Sequence, residues 1–263
     1  MLTSASPRGA SISAKDVTLD YPLGPVTRRS IKQQLFSLFG GGREAEPPGN
    51  IRALNGVSFE IVSGERVGII GTNGSGKSTL LRAMAGVYPI TGGHLTVRGA
   101  IQGMFDINLG FELEATGFEN ILYRGLVMGL SPTQIRARQD EIIEFAELGD
   151  FIHLPVRTYS SGMAVRLAFA ISTYLQGNVL LLDEMLGAGD AAFQVKAAAR
   201  MRNLVHSAEI LVLVSHDIAT IRNVCTRTIW LSAGKVMMDG DTTEVTTAYL
   251  NATRPEPAPQ PAS

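Results

Sequence analysis

This chain has little cysteine, a net charge near zero and no long apolar segment. Its 263 residues include one cysteine, Cys225, so an internal disulfide framework is excluded and a reducing compartment is indicated. The formal net charge is −1, which provides no overall field to attract nucleic acid. No apolar run approaches the roughly 20 residues that span a bilayer, and residues 1–13 lack the apolar core of a secretory signal. The sequence therefore predicts a soluble protein that reaches a membrane only through a partner.

A glycine-rich turn between an apolar run and a helix-favouring run is the most informative stretch. It has the spacing Gly-x4-Gly-Lys-Ser of a phosphate-binding loop. Such glycines let the backbone bend and aim N–H groups at phosphate oxygens, and the following helix adds its positive N-terminal end. Lys77 would reach the β- and γ-phosphates, and the Ser78 hydroxyl would hold Mg²⁺. The residues predicted to bind the nucleotide here are Gly71, Thr72, Asn73, Gly74, Ser75, Gly76, Lys77, Ser78 and Thr79.

Two acidic residues follow a second apolar run. The run 179–182 is typical of a buried strand, and Asp183 and Glu184 come directly after it. Asp183 is suited to hold Mg²⁺, as the acidic partner of a phosphate loop does, and Glu184 to polarise the attacking water as a general base. The alternative is a solvated helix start, where acidic residues are also favoured.

A histidine and a Ser-Gly motif extend the pattern. His216 follows the apolar strand 210–214, and ligand sites in open parallel sheets gather at the carboxyl edge of the strands. An imidazole there either hydrogen-bonds the γ-phosphate and senses hydrolysis or has a structural part. Upstream, the motif Tyr159-Ser160-Ser161-Gly162-Met163 begins a helix; it is either a second anion site or an ordinary capped helix end.

The order of these motifs over residues 12–250 resembles the ATP-binding cassette (ABC) family of transport ATPases. That order is phosphate loop, helical insert, the 159–163 motif, Leu182-Asp183-Glu184, Gly187-Ala188-Gly189-Asp190 and Ser215-His216-Asp217. The resemblance implies an α/β fold of the ABC-type P-loop NTPase. This fold has a mixed sheet core, an antiparallel β subdomain and an α-helical insert subdomain. The resemblance also implies hydrolysis of ATP with Mg²⁺ as the metal.

Further roles are implied by the resemblance alone. From the strand alone, Tyr21 is interpreted as a half-buried strand aromatic rather than as a residue that stacks on a base. The resemblance reverses this, because Tyr21 matches the residue that stacks on adenine. Residues Ser160, Ser161 and Gly162 match the signature motif, which contacts the γ-phosphate of the ATP on another subunit. The implied working unit is a head-to-tail dimer with two ATP molecules between the subunits. The catalytic positions are Lys77, Glu184 and His216.

Departures from the commonest family pattern indicate a particular branch. The glutamine usual after the strand at 100–105 is absent; Asp106 falls near its place and is a candidate Mg²⁺ ligand, whereas Gln102 lies too early, inside the strand. The runs 106–111, 116–121, 159–170 and 189–196 resemble exporters of bacterial cell-surface polysaccharides, such as O-antigen, capsule and teichoic acid. So does the insert after Tyr21, where that branch carries a helix facing the membrane partner.

The expected function is that of the ATPase subunit of an exporter for a lipid-linked, O-antigen-like polysaccharide. The resemblance implies as partners an ABC-2 type membrane permease, a second copy of the chain and, indirectly, the lipid-linked glycan, but no nucleic acid. The implied location is the cytoplasmic face of the bacterial inner membrane. The nearest alternative is an ABC ATPase for another cargo, such as a lipid or a drug. A protein acting on ribosomes or DNA is disfavoured by the single cassette and the net charge near zero.

The expected domain plan has one nucleotide-binding domain over 12–250, a flexible stretch over 1–11 and a disordered, proline-rich tail over 251–263. Within the domain, residues 22–50 form an extra loop with an amphipathic helix at 31–39, suited to cover core, a membrane surface or a partner groove. The helical insert spans about 112–176, with helices at 118–130, 131–148 and 162–175. Strands are expected at 12–21, 57–61, 94–97, 100–105, 179–182, 210–214, 228–231 and 235–238. Further helices are expected at 78–86, at 191–204, after the strand 210–214 to about residue 225, and at 244–250.

Overall fold

Strands and helices alternate along most of the chain. The computed structural model describes residues 9–22, 49–105, 111–174, 177–183 and 191–253. The predicted helix at 31–39, the loop 187–190 and the residues Asp106 and Glu184 lie outside these ranges. The described strands are β1 Ser11–Pro22, β2 Asn50–Val62, β3 Arg66–Ile70, β4 Gly92–Arg98, β5 Ile101–Met104, β6 Val179–Asp183, β7 Ile210–Val214, β8 Arg227–Ser232 and β9 Lys235–Asp241. The described α-helices are α1 Lys77–Met84, α2 Gly117–Val127, α3 Pro132–Ala146, α4 Ser161–Tyr174, α5 Ala191–Ser207, α6 Ile218–Val224 and α7 Thr242–Ala252.

The strands form two sheets, as the expected fold requires. A three-stranded antiparallel sheet has the order β2-β1-β4, and a six-stranded sheet has the order β5-β6-β7-β3-β8-β9. In the larger sheet every pairing is parallel except the β8–β9 hairpin. The central strands β6 and β7 consist almost entirely of buried apolar residues, because helices cover a parallel sheet on both faces.

The turn at Gly99 separates the two sheets and does not form a hairpin. Strand β4 pairs with β1, whereas β5 pairs with β6. The Asn178 side chain accepts a hydrogen bond from the Ala100 amide (2.7 Å), and the Val179 amide donates to the Ala100 carbonyl (3.1 Å). These bonds direct β5 onto β6, so two strands that are adjacent in sequence belong to different layers.

The helical insert contains the three predicted helices, together with two short 3₁₀-helices that the sequence analysis missed. The 3₁₀-helices are Gly149–His153 and Val156–Thr158, between α3 and α4. Helices α2 and α3 each begin with a capping box, in which a hydroxyl and a side chain three residues later satisfy each other's backbone amides. The insert packs on α5 through an aromatic cluster of Phe145, Phe169 and Phe193.

Two hydrophobic clusters make up the core. One lies between the two sheets and includes the buried face of β1 and the helix α1. The other lies beneath the helical insert and joins it to β6, β7 and α5. Among the helices that the structure describes, none combines the length and the apolar character needed to cross a bilayer.

Candidate nucleotide site

Three parallel strands end side by side at the edge of the larger sheet. Strand β7 lies between β3 and β6, and Val214 at its end pairs with Ile69 on one side and with Asp183 on the other. The phosphate-loop residues therefore emerge next to the Asp183 carboxylate and to the segment that carries His216. The sequence motifs predicted to act together are thus brought together by sheet register, at the edge where parallel sheets bind ligands.

The phosphate loop ends in an uncapped helix N-terminus. Gly76 is the N-cap of α1 with φ +104°, and its carbonyl accepts the first helical bond, from the Leu80 amide (2.8 Å). The amides of residues 77–79 therefore have no acceptor within the helix. A side chain at Gly76 is also excluded by space, because its Cβ would lie 2.6 Å from the Ala53 carbonyl oxygen. A helix end of this kind fits a phosphate group.

Lys77 folds back over the loop. Its Nζ donates to the Gly71 carbonyl (2.8 Å) and the Thr72 carbonyl (3.0 Å). The ammonium group thereby lies over the loop whose amides would hold the phosphates. Ser75 is buried, and among the contacts of the described residues its hydroxyl has no hydrogen-bond partner.

The residues suited to Mg²⁺ are few, and they fit the way this ion binds nucleotides. Ser78, in the first turn of α1, and Asp183, at the end of β6, are both partly exposed. The described ranges contain no group of three or more His, Cys, Asp or Glu side chains that could hold a metal. Mg²⁺ in nucleotide sites commonly takes one or two protein oxygens together with phosphates and water, so a hydroxyl and a carboxylate are sufficient. The predicted ligand Asp106 lies outside the described residues.

Tyr21 lies at the end of β1, beside the helix that follows the phosphate loop. Its hydroxyl is 3.2 Å from the Thr79 hydroxyl, and its ring meets Tyr88 edge-to-face with centroids 5.9 Å apart. The side chain is half-buried. These contacts place an aromatic ring next to the nucleotide-binding residues, and its stacking on adenine stays a prediction.

The Ser215-His216-Asp217 motif divides into two parts. Ser215 is buried and its hydroxyl accepts from the Asp217 amide (3.0 Å). Asp217 caps α6 by accepting from the Ala219 and Thr220 amides, and hydrogen bonds from Thr220 and Ala219 lower its pKa. His216 lies between them in sequence and is exposed at the strand edge.

The Ser-Gly motif is not brought to the chain's own phosphate loop. Ser160 caps α4, its hydroxyl accepting from the Met163 amide (3.2 Å), and Ser160 and Ser161 are exposed. Helix α4 packs on α2, α3, α5 and β5, whereas α1 packs on β2, β4, β6 and β7. Within one chain the two anion-type helix ends therefore belong to different parts of the fold.

Sequence reasoning did not identify Gly234 as a residue that touches the site. Its amide donates to the Ser75 carbonyl of the phosphate loop (2.9 Å). The only sequence signal was a glycine between two short strands, which indicates a hairpin turn but not what the turn contacts. Gln102, noted as lying inside a strand, is buried and donates to the Ser172 carbonyl (2.6 Å), so its role is structural.

The fold and the site define a P-loop ATPase of cassette type. The family model described as "ABC transporter" matches residues 54–187, and the chain belongs to this family; it is an ATP-binding ATPase.

Three comparisons give the relation its detail. The O-antigen export system ATP-binding protein RfbE of Yersinia enterocolitica is 44% identical over 229 residues, covering 86% of this chain and 96% of the relative. The teichoic acids export ATP-binding protein TagH of Bacillus anthracis is 40% identical over 197 residues, covering 75% of this chain and only 36% of the relative. The dimeric structure of MJ0796, a bacterial ABC transporter cassette, superposes with a TM-score of 0.62 at 25% identity, covering 88% of this chain and 98% of that one.

Proposed function

We propose that this chain is the ATP-hydrolysing subunit of an ABC transporter that exports a lipid-linked, O-antigen-like cell-surface polysaccharide. The observation that carries the proposal is the 44% identity to an O-antigen export ATP-binding protein over 96% of that protein's length. A similarity that covers nearly the whole relative includes the surfaces that couple an ATPase to its transporter as well as the nucleotide site.

The chemistry follows from the strand edge. The amides at the start of α1 and the Lys77 ammonium neutralise the phosphate charge that grows during hydrolysis. The Ser78 hydroxyl and the Asp183 carboxylate would hold Mg²⁺, and the ion would supply Lewis-acid polarisation of the phosphate oxygens. Glu184, which follows Asp183 in sequence, orients the attacking water, and His216 hydrogen-bonds the γ-phosphate.

The complete site takes two chains in this proposal. Ser160 and Ser161 are exposed and Gly162 is partly exposed. All three lie in the helical insert, away from the loop of their own chain, so they are placed to face the loop of a second copy. Two copies arranged head to tail then enclose two ATP molecules. A cassette with the same fold has a dimeric structure, which supports a working unit of two chains.

The proposed partner in the membrane is a permease of the ABC-2 type, which the ATPase contacts at the cytoplasmic face of the bacterial inner membrane. Closure of the dimer on ATP would move the permease, and hydrolysis would reopen it. The lipid-linked glycan would act on the ATPase only through the permease, because the polysaccharide crosses the membrane there.

Reconstitution tests this function. ATP turnover of the purified chain is measured alone, with the permease encoded beside it in lipid vesicles, and with that permease plus lipid-linked polysaccharide. We expect the glycan carrier to stimulate turnover several-fold, because transport ATPases couple hydrolysis to cargo, and a Lys77→Ala chain to show no stimulation. Stimulation by a lipid or drug but not by any glycan carrier would contradict the polysaccharide cargo.

A further inference from the structure

The hairpin formed by β8 and β9 contacts the phosphate loop at two points. The Gly234 amide donates to the Ser75 carbonyl (2.9 Å), in the middle of the loop. At the end of β8, the Leu231 carbonyl lies so close to Gly71 that a Cβ there would collide with it. One hairpin therefore contacts both the first glycine of the loop and the residue before its last glycine.

The same turn is also fixed to the other sheet. The Gly234 carbonyl accepts from the Asn55 amide of β2 (2.8 Å). The backbone of this glycine thus links β2 to the loop, because its carbonyl is bonded to β2 and its amide to the loop. Since β2 belongs to the three-stranded sheet and β8 to the six-stranded sheet, the link joins the two layers beside the loop.

No side chain fits at this point. Gly234 has φ +73°, and a Cβ on it would lie 2.6 Å from the Ala53 carbonyl oxygen and 3.1 Å from the Leu54 Cα. The Ala53 carbonyl would also meet a Cβ on Gly76, at 2.6 Å. The turn, the end of the phosphate loop and β2 therefore converge on one backbone carbonyl. A displacement of the turn would displace the loop with it.

We propose that Gly234 is a positioning residue for ATP binding. Its backbone amide and carbonyl hold the phosphate loop between the two sheets in the conformation that binds the nucleotide. Backbone groups that hold a ligand must be fixed to within a fraction of an ångström. The loop is rich in glycine, and a glycine-rich chain loses much entropy when it is ordered. The hydrogen bond from Gly234 already orders the loop at the Ser75 carbonyl. It therefore reduces the loss of conformational entropy that ATP binding must offset. The inference rests on the phosphate loop being the ATP site of the proposed function.

The test compares two glycine-to-alanine variants of the full chain. Gly234→Ala adds both the strain of a positive φ and the collision with Ala53. The control, Gly129→Ala, lies between α2 and α3 with φ +82° and nothing within 4 Å of the added Cβ, so it carries the backbone strain alone. We expect the dissociation constant for ATP to rise about tenfold or more in Gly234→Ala, since ångström-scale misplacement costs one to two orders of magnitude. In the control it should stay within about twofold, a change too small for lost contacts.

A kinetic split and a measurement on the unchanged chain complete the test. In Gly234→Ala, we expect KM for ATP to rise more than kcat falls. Thermal unfolding without nucleotide should occur at a lower temperature than in the control because of the collision with Ala53, so the affinities are compared at a temperature where both variants are folded. In the unchanged chain, a non-hydrolysable ATP analogue should slow hydrogen exchange of the Gly234 amide. The bound analogue fixes the phosphate loop, so the hydrogen bond from this amide to the Ser75 carbonyl opens less often. This second measurement applies even where Gly234→Ala does not fold.

Equal ATP affinity in the two variants, or exchange at Gly234 that the analogue leaves unchanged, would overturn the anchoring role. The unchanged chain separates this inference from the proposed function. If it does not bind ATP, both fall; if it binds ATP and the two glycine variants behave alike, only the anchoring role falls.

Discussion

At the scale of the residue, burial decides the chemistry of the one cysteine. Cys225 follows α6, is 6% exposed and belongs to the cluster beneath the helical insert. Burial raises the pKa of its thiol from 9.0 to about 12, against a smaller opposing effect of Arg66. The thiolate is the nucleophilic form, and a buried thiol is inert. Its position in the core gives this cysteine the packing role of a small buried hydrophobic residue.

We predict that Cys225 resists alkylation in the folded chain. At pH 8, a pKa raised by three units lowers the thiolate fraction about a thousandfold. Labelling by iodoacetamide should therefore be at least about a hundredfold slower in buffer than in concentrated urea. Mass spectrometry of the labelled chain measures both rates, and Cys225→Ser gives the background. Similar rates in the two solvents would contradict the buried position.

The same pKa shift has a consequence for stability. Because the folded state favours the neutral thiol, the stabilising effect is complete below pH 9, the ordinary pKa of the group. It is lost as the pH rises from about 9 towards 12, since the unfolded chain ionises its thiol first.

At the scale of the element, N-cap residues determine where the helices of the insert begin. Ser131 accepts from the Gln134 amide (3.3 Å), and the Gln134 side chain accepts from the Ser131 amide (2.9 Å). Proline follows at the first helical position of α3, where its missing amide costs nothing. The sequence analysis expects a helix from residue 131, and the structure has Ser131 as its N-cap.

We predict that Ser131→Ala lowers the free energy of unfolding by about 1 kcal/mol, the usual cost of losing an N-cap. Urea denaturation measures the loss. Thr133→Ala is the matched control, because it changes a hydroxyl residue on the same exposed turn that is not the cap residue. The dissociation constant for ATP should be unchanged in both variants, because α3 packs mainly on α2 and α4. Equal stability of the two variants would show that the cap contributes nothing.

At the scale of the whole molecule, the N-termini of α1 and α4 lie in different parts of the fold, and this separation bears on how a complete ATP site forms. The phosphate loop opens α1 and the Ser-Gly motif opens α4, and these helices pack on different parts of the fold. A head-to-tail dimer would supply each loop with the motif of the other chain. Gly162 is well suited to a test, because a Cβ there would meet nothing closer than the Ser160 hydroxyl at 3.9 Å. A substitution at Gly162 therefore leaves its own chain undisturbed.

We predict complementation between two inactive variants. Lys77→Ala disables the loop and Gly162→Asp disables the motif, so each homodimer has two defective sites. In a mixed dimer both defects fall in one site and the other site is intact. With random pairing of equal amounts, about a quarter of the sites become complete, as expected for head-to-tail assembly. ATP turnover of the mixture should rise to about that fraction of the unchanged chain's value.

Two controls define the outcome. Each variant mixed with buffer alone gives the residual turnover, and the double variant mixed with buffer shows the effect of both defects in one chain. Turnover in the mixture no greater than the sum of the residual values would contradict a site shared between chains.

Particular residues show how far sequence reasoning reached. The loop 71–79 and the carboxylate Asp183 were predictable, because their spacing and their apolar strands are local patterns. The bond from Gly234 to the loop was not, because nothing in a hairpin sequence states which distant backbone the turn will meet. Likewise the strands expected at 94–97 and 100–105 are neighbours in sequence, and only their pairing with β1 and β6 shows that the chain changes sheets between them.

The sequence by itself determined the family of the chain, the order of its motifs and the positions of nearly all its described helices and strands. These features depend on interactions between neighbours in the chain: apolar periodicity, caps and glycine turns. The tertiary structure decided which strand ends meet, which layer each strand joins and what holds the phosphate loop. Those depend on contacts between residues such as Ser75 and Gly234, which are distant in sequence and meet only when both sheets have formed.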